Sequence, residues 1–129
     1  NSGQPRIAYE IAAQHGPITV LYRDWLHEHG WQGALARLRE VVGDRPTYLS
    51  IDIDCLDPCF APGTGTPVVD GLAPHEILSI LRQTTDVNFV GMDLVEVAPP
   101  YDPTGVTALL GASLILEYIC ARAAGRQGV

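Results

Sequence analysis

The run Thr47-Tyr48-Leu49-Ser50-Ile51-Asp52-Ile53-Asp54 restricts the fold more than any other stretch of the chain. It is apolar and strand-like, yet it ends in two carboxylates. Side chains alternate across a strand, so Asp52 and Asp54 are expected on one side. Two acids placed there repel each other strongly in a poorly solvated site. A hard cation between them, such as Mg or Mn, removes the penalty. In open parallel sheets ligands bind beyond the carboxyl ends of the strands, which is where both aspartates sit. The competing reading is a pair of aspartates capping a turn at a strand exit, and spacing alone leaves the two level.

The surrounding pattern is α/β. Residues 7–15 read as a short helix ended by Gly16-Pro17, and residues 18–22 as a short β-type run. Trp31, Ala34, Leu35, Leu38, Val41 and Val42 follow i, i+3, i+4, i+7 spacing, which predicts an amphipathic helix over 30–42, closed by Gly43-Asp44. The strand over 47–54 leads into a long loop, 55–73. A helix over 74–83, a strand over 88–97 and a helix over 104–124 complete the order. The last helix is apolar nearly all round, which predicts deep packing. Helices alternating with apolar strands imply a parallel sheet, which must be covered on both faces. Three strands are too few for that, so the chain reads as part of a larger sheet.

A length of 129 residues supports one domain, and 47% hydrophobic residues exclude wholesale disorder. No apolar run is expected to approach the roughly 20 residues of a membrane span. The opening Asn1-Ser2-Gly3-Gln4-Pro5-Arg6 has neither an initiator Met nor a signal-peptide layout, so it reads as the interior of a longer gene product. The net charge of −7 is unevenly spread: residues 44–102 hold ten acids against two arginines, a balance of −8. Such a field repels nucleic acid and anionic lipid and favours metal ions or a cationic substrate. Cys55, Cys59 and Cys120 form an odd set with poor zinc spacing, as expected of free thiols in a reducing, cytoplasmic setting.

The loop after Asp54 is too long for a simple connector, and loops of this length are usually functional. Glu96 stands at the end of the next predicted strand. Taken together, Ser50-Ile51-Asp52-Ile53-Asp54-Cys55-Leu56-Asp57-Pro58, Ala61-Pro62-Gly63-Thr64-Gly65-Thr66-Pro67 and Val95-Glu96-Val97-Ala98-Pro99-Pro100-Tyr101-Asp102 resemble the ureohydrolase family. The likeness runs over residues 7–124, and the Ala-Pro-Pro-Tyr-Asp ending is closer to the agmatinase branch than to arginase. The resemblance implies a three-layer αβα fold with a parallel sheet, shared with the zinc deacetylases. Residues 1–129 would be the C-terminal half of one such domain.

The resemblance also implies two manganese ions, with Asp52 bridging them and Asp54 a ligand of one. It gives Glu96 the grip on the substrate guanidinium and puts Thr66 in the loop lining that pocket. In the family a metal-bridging hydroxide attacks the guanidinium carbon, and the intermediate collapses to urea and an amine. Agmatine is the substrate that the branch implies, in polyamine metabolism. A guanidino-acid hydrolase such as guanidinobutyrase, or a non-catalytic chain, stays open beside it. A small cationic guanidino substrate, no nucleic acid, no membrane, and a trimeric or hexameric homo-oligomer when full length complete the implied partners. The family's other metal ligands and its proton-shuttling His belong to an upstream half.

Two departures from the family pattern carry expectations. Asp70-Gly71 replaces Gly-Gly before Leu72, and Asp tolerates φ > 0 well enough for the turn to survive. Ala73 lacks the capping hydroxyl before the helix over 74–83, a loss of roughly 1 kcal/mol. Other polar groups have plainer readings. His27-Glu28-His29 beside Asp24 lies ahead of a surface helix rather than in a metal site. Asp57 fixes a turn before Pro58. Nothing activates Cys55. Asp93 either supports the carboxylates or caps its loop.

Overall fold

Strands β1 (Thr47–Asp52) and β2 (Phe89–Val95) pair in parallel, Leu49 opposite Met92, Ile51 opposite Leu94 and Asp52 opposite Val95. The structure, a computed structural model, describes residues 16–127. Three helices accompany the pair: α1 (Arg23–Val42), α2 (Pro74–Arg82) and α3 (Val106–Gln127). Because side chains alternate, Leu49, Ile51, Met92 and Leu94 turn to one face of the sheet, and the core forms there. Ile51, Ile53, Leu56, Ala61, Ile77, Leu81 and Leu114 are its buried members. Tyr48, Ser50 and Asp93 occupy the opposite, more open face.

Polar contacts tie the helices to this core. Arg39 of α1 donates to both carboxylate oxygens of Asp86, at 2.7 and 3.0 Å, and to the Gln83 carbonyl at 2.6 Å. Arg82 of α2 reaches Glu117 of α3 at 2.5 Å, and Arg122 of α3 donates to the Val87 carbonyl at 2.6 Å. The two carboxylate pairs are open to solvent, which screens them, so each contributes little to stability. Burial of the aliphatic cluster outweighs them.

Several elements differ from expectation. The predicted helix over 7–15 lies outside the described residues. Residues 18–22 form no strand but run as irregular backbone into α1, so two strands pair among the described residues. A strand needs a hydrogen-bonding neighbour, and none of the described segments offers one there. The helix predicted over 30–42 is preceded by a further helical stretch from Arg23, joined at Gly30 with φ 66° and ψ −179°. That left-handed φ suits glycine and marks a kink between the two stretches. His27, Glu28 and His29 therefore lie within α1. The strand over 47–54 ends two residues early, because residues 53–55 wind into a 3₁₀ turn.

Helix α3 is the largest departure. Leu109, Leu116 and Ile119 are more than half exposed, so its apolar circumference is only partly packed. The stretch Val106–Gly125 is also long and apolar enough, by length and composition, to cross a membrane, against the expectation from the sequence. Its Glu117 and Arg122 are bound to α2 and to the segment before β2, so the fold uses it as a packed helix. Leu114, fully buried at the centre of α3, contacts the shared core. Leu114→Ala should lower stability by about 3 kcal/mol. A urea-unfolding midpoint unchanged from wild type would contradict this packing.

Candidate active site

Asp52 closes β1, and its Oδ1 accepts the Asp54 amide at 3.1 Å. The strand thus ends in a turn capped by its own last residue. Asp52 caps that turn through Oδ1, and Asp54 follows by a tight turn rather than by strand alternation. Asp54 is buried, between fully buried Ile53 and half-buried Cys55. The Thr66 hydroxyl donates to Asp54 Oδ2 at 2.8 Å across twelve residues of chain. Sequence reasoning put Thr66 in the loop beside the acids, and its contact is with Asp54.

Glu96 follows β2 directly and adopts φ 65°, a left-handed conformation rare for residues with a side chain. Such strain gathers where a side chain must be aimed off the line of its strand. Burial raises the Asp52 carboxyl above the ordinary carboxylate range, the charges of Asp54 and Glu96 adding to the rise while the Asp54 amide opposes it. Asp52 therefore feels both of the other acids. Burial, helped by Asp52 and Asp54, also pushes the Cys55 thiol up to about 11, so it is a protonated wall and no nucleophile near neutral pH. A cavity of about 180 Å³ reaches Asp54 and Cys55 from the side of Tyr22, Arg23 and Leu72.

The loop over 55–73 is built as tightly as a secondary element. Asp57 accepts the Cys59 amide at 2.9 Å and the Asp70 amide at 2.8 Å, so it does fix the turn. Leu56 and Leu72 bridge in parallel, and a Cβ on Gly71 would lie 2.3 Å from the Asp57 nitrogen, a crossing only glycine allows. Asp70 takes φ 64°, as the substitution for glycine requires. His27 Nε2 meets its carboxylate at 3.0 Å, and Arg23 lies 3.7 Å away. His29 bonds the Trp25 carbonyl, so neither histidine is arranged as a ligand. At α2 the Ala73 amide donates to Glu76 at 2.8 Å, half of a capping box.

Asp93 sits on β2 with the Tyr48 hydroxyl donating to Oδ2 at 3.2 Å, while Oδ1 is buried without a hydrogen-bond partner. It caps no loop. Sequence reading gave no role to Asp102, which the structure makes central. Buried before α3, it accepts from the Thr104 hydroxyl and the Thr107 amide, both at 2.6 Å, and from the Thr104 and Gly105 amides at 3.1 Å. The signal was present in an Asp two residues ahead of the predicted helix start.

Solved structures share this fold. A hypothetical agmatinase from Burkholderia thailandensis superposes with a TM-score of 0.82 at 47% identity, over 87% of this chain and 36% of that one. Proclavaminate amidino hydrolase from Streptomyces clavuligerus gives a TM-score of 0.81 at 43% identity, over 94% of this chain and 40% of that one. The fold is thus the α/β fold expected, present in part. A sequence profile of the arginase family matches residues 2–121, and the chain belongs to that family. It is 48% identical over 120 residues to an agmatinase of Photorhabdus laumondii subsp. laumondii, covering 91% of this chain and 39% of that protein. The chain spans about two-fifths of the length of such relatives.

The Asp102 contacts predict a pH effect. Donation from Thr104 and from the Thr107 amide holds its carboxyl down at about 2 in the folded chain. Its ordinary value is 3.8, so the unfolded chain binds the proton more readily. The stabilisation is therefore complete above 3.8 and is lost as pH falls through about 2. The gap in urea midpoint between wild type and Asp102→Asn should be full at pH 6 and shrink below pH 4. A gap that stays constant into acid would refute the linkage.

Proposed function

We propose that this chain is the C-terminal portion of a single ureohydrolase domain, and that the complete protein hydrolyses agmatine to urea and an amine. The observation carrying this reading is the gathering of Asp52, Asp54 and Glu96 at the carboxyl ends of two paired parallel strands, in a chain of the arginase family. Similarity to proteins named agmatinase supports agmatine as the substrate. The surplus of acids in residues 44–102 favours a cationic guanidino compound over an anionic one.

The donor chemistry fits a hard divalent ion. Asp52 and Asp54 offer carboxylate oxygens, and the Asp52 carboxyl is raised first by burial and then by the neighbouring acids, both of which a bound cation offsets. The set is partial. Among the described residues, no three His, Cys, Asp or Glu side chains group to hold a metal. The remaining ligands are assigned to the upstream part of the domain. In this reading Asp52 and Asp54 would be the residues of this chain that hold manganese, which when bound would supply an acidified water as nucleophile near neutral pH.

The chain's own residues do the rest. Glu96 pairs in fork geometry with the planar guanidinium, which no protein base deprotonates, and so orients its carbon. Thr66 lines the same pocket, and its hydrogen bond stops the Asp54 carboxylate from turning. Three free thiols suit a reducing, cytoplasmic compartment, and the exposed apolar residues of α3 suit a homo-oligomer.

The test uses the full-length polypeptide supplied with manganese, with agmatine and 4-guanidinobutyrate as rival substrates. Urea should be released mainly from agmatine; none from either would reject the reading. Asp52→Asn should lose bound manganese and nearly all turnover, since a shared ligand serves both ions. Two ions retained per subunit would remove Asp52 from the metal site. Glu96→Gln should raise KM and lower kcat at unchanged metal content, as expected for a group that both binds and positions. The 129-residue chain alone, with so few ligands, should release no urea.

A further inference from the structure

We propose that Thr107, held by Asp102, is a positioning residue: it fixes Gly63 and thereby the short strap of residues 63–66 that sets the spacing between Asp54 and Glu96. The catalytic consequence rests on the function proposed above; the strap itself rests on geometry.

Thr107 is fully buried in the first turn of α3, its amide committed to Asp102. Its hydroxyl points out of the helix and accepts the Gly63 amide at 2.8 Å. The Gly63 carbonyl accepts the Ala98 amide at 2.8 Å. Both backbone groups of Gly63 are therefore taken, one by α3 and one by the segment leaving β2. The approach is close: a Cβ on Gly63 would lie 2.7 Å from Asp102 Cβ and 2.9 Å from the Thr107 hydroxyl. Gly63 rests directly on the clamp.

The strap's far end is Thr66, bound to Asp54. Its near end meets Ala98, two residues beyond Glu96 with its left-handed φ. Three residue steps reach no more than about 10 Å when extended. The strap has little slack, so a shift of Gly63 is passed to Asp54 on one side and to the Glu96 segment on the other. A plain helix cap needs only the Asp102 bond to the Thr107 amide. The Thr107 hydroxyl serves the loop instead, in a buried setting where an unpaired Gly63 amide is costly.

The test compares Thr107→Val, which keeps shape and removes the acceptor, with Thr107→Ser, which keeps it. Both are made in the manganese-loaded full-length polypeptide. The Val variant should raise KM for agmatine about tenfold and lower kcat with it, since Glu96 both binds and positions, while metal content changes far less. Its amide hydrogen exchange should quicken in the peptide containing Gly63 but not in peptides from the centre of α3. The Ser variant should stay within about twofold of wild type by both measures. Wild-type KM and wild-type exchange at Gly63 in the Val variant would overturn the proposal, as would equal damage from Val and Ser. If wild type itself releases no urea, the proposed function fails while the exchange comparison still decides the clamp. Should Thr107→Val not fold, Asp102→Asn replaces it, with faster Gly63 exchange supporting the clamp and unchanged exchange rejecting it.

Discussion

Parallel pairing is the constraint on which the rest of this structure depends. Two parallel strands leave the sheet at the same edge, and the chain must travel some distance between the end of one and the start of the next. Here β1 delivers Asp52 and Asp54 to that edge and β2 delivers Glu96. The connection between the strands carries both the loop that reaches across the edge and the helix α2 that covers the sheet. An antiparallel pair with the same residues would put the acids at opposite ends. The left-handed Glu96 and the 3₁₀ turn at Asp54 are final adjustments of direction at an edge already fixed by topology.

Much of this was legible in the chain. The apolar run ending in Asp52 and the periodicity over residues 30–42 are local signals, and so is the density of Gly, Pro and Thr after Asp54. Each survives because neighbouring residues decide it. Residues 18–22 misled for the opposite reason: a β-type run becomes a strand only beside a partner, and pairing is not written in the run itself. The early start of α1 was hidden by Gly30, which reads as an N-terminal boundary but serves as a joint. Asp102 and Thr107 act on Gly63 from about forty residues away, and no period or spacing encodes such a contact.

Helix α3 shows how composition misleads in both directions. Apolar residues on all sides predicted deep burial, and the length of the run satisfies the arithmetic of a membrane span. Instead one side of the helix closes the core through Leu110 and Leu114, while Leu109, Leu116 and Ile119 stand exposed. Hydropathy counts residues without regard to the direction they face. The Arg82–Glu117 pair and the Arg122 bond to the Val87 carbonyl are what distinguish a helix docked on its neighbours.

The turn at Asp70 holds two effects with different physical origins. Its left-handed backbone carries a strain of about 1 kcal/mol that belongs to the covalent geometry and ignores the solvent. The Arg23 contact with the carboxylate is electrostatic, so it weakens as ions accumulate around the protein, and the His27 contact beside it is exposed to water. The balance between them is therefore set by the medium. In dilute buffer the α1 side of the Asp54 cavity is fastened by charge; in concentrated salt the same turn has only Gly71, Asp57 and the Leu56–Leu72 bridge to hold it.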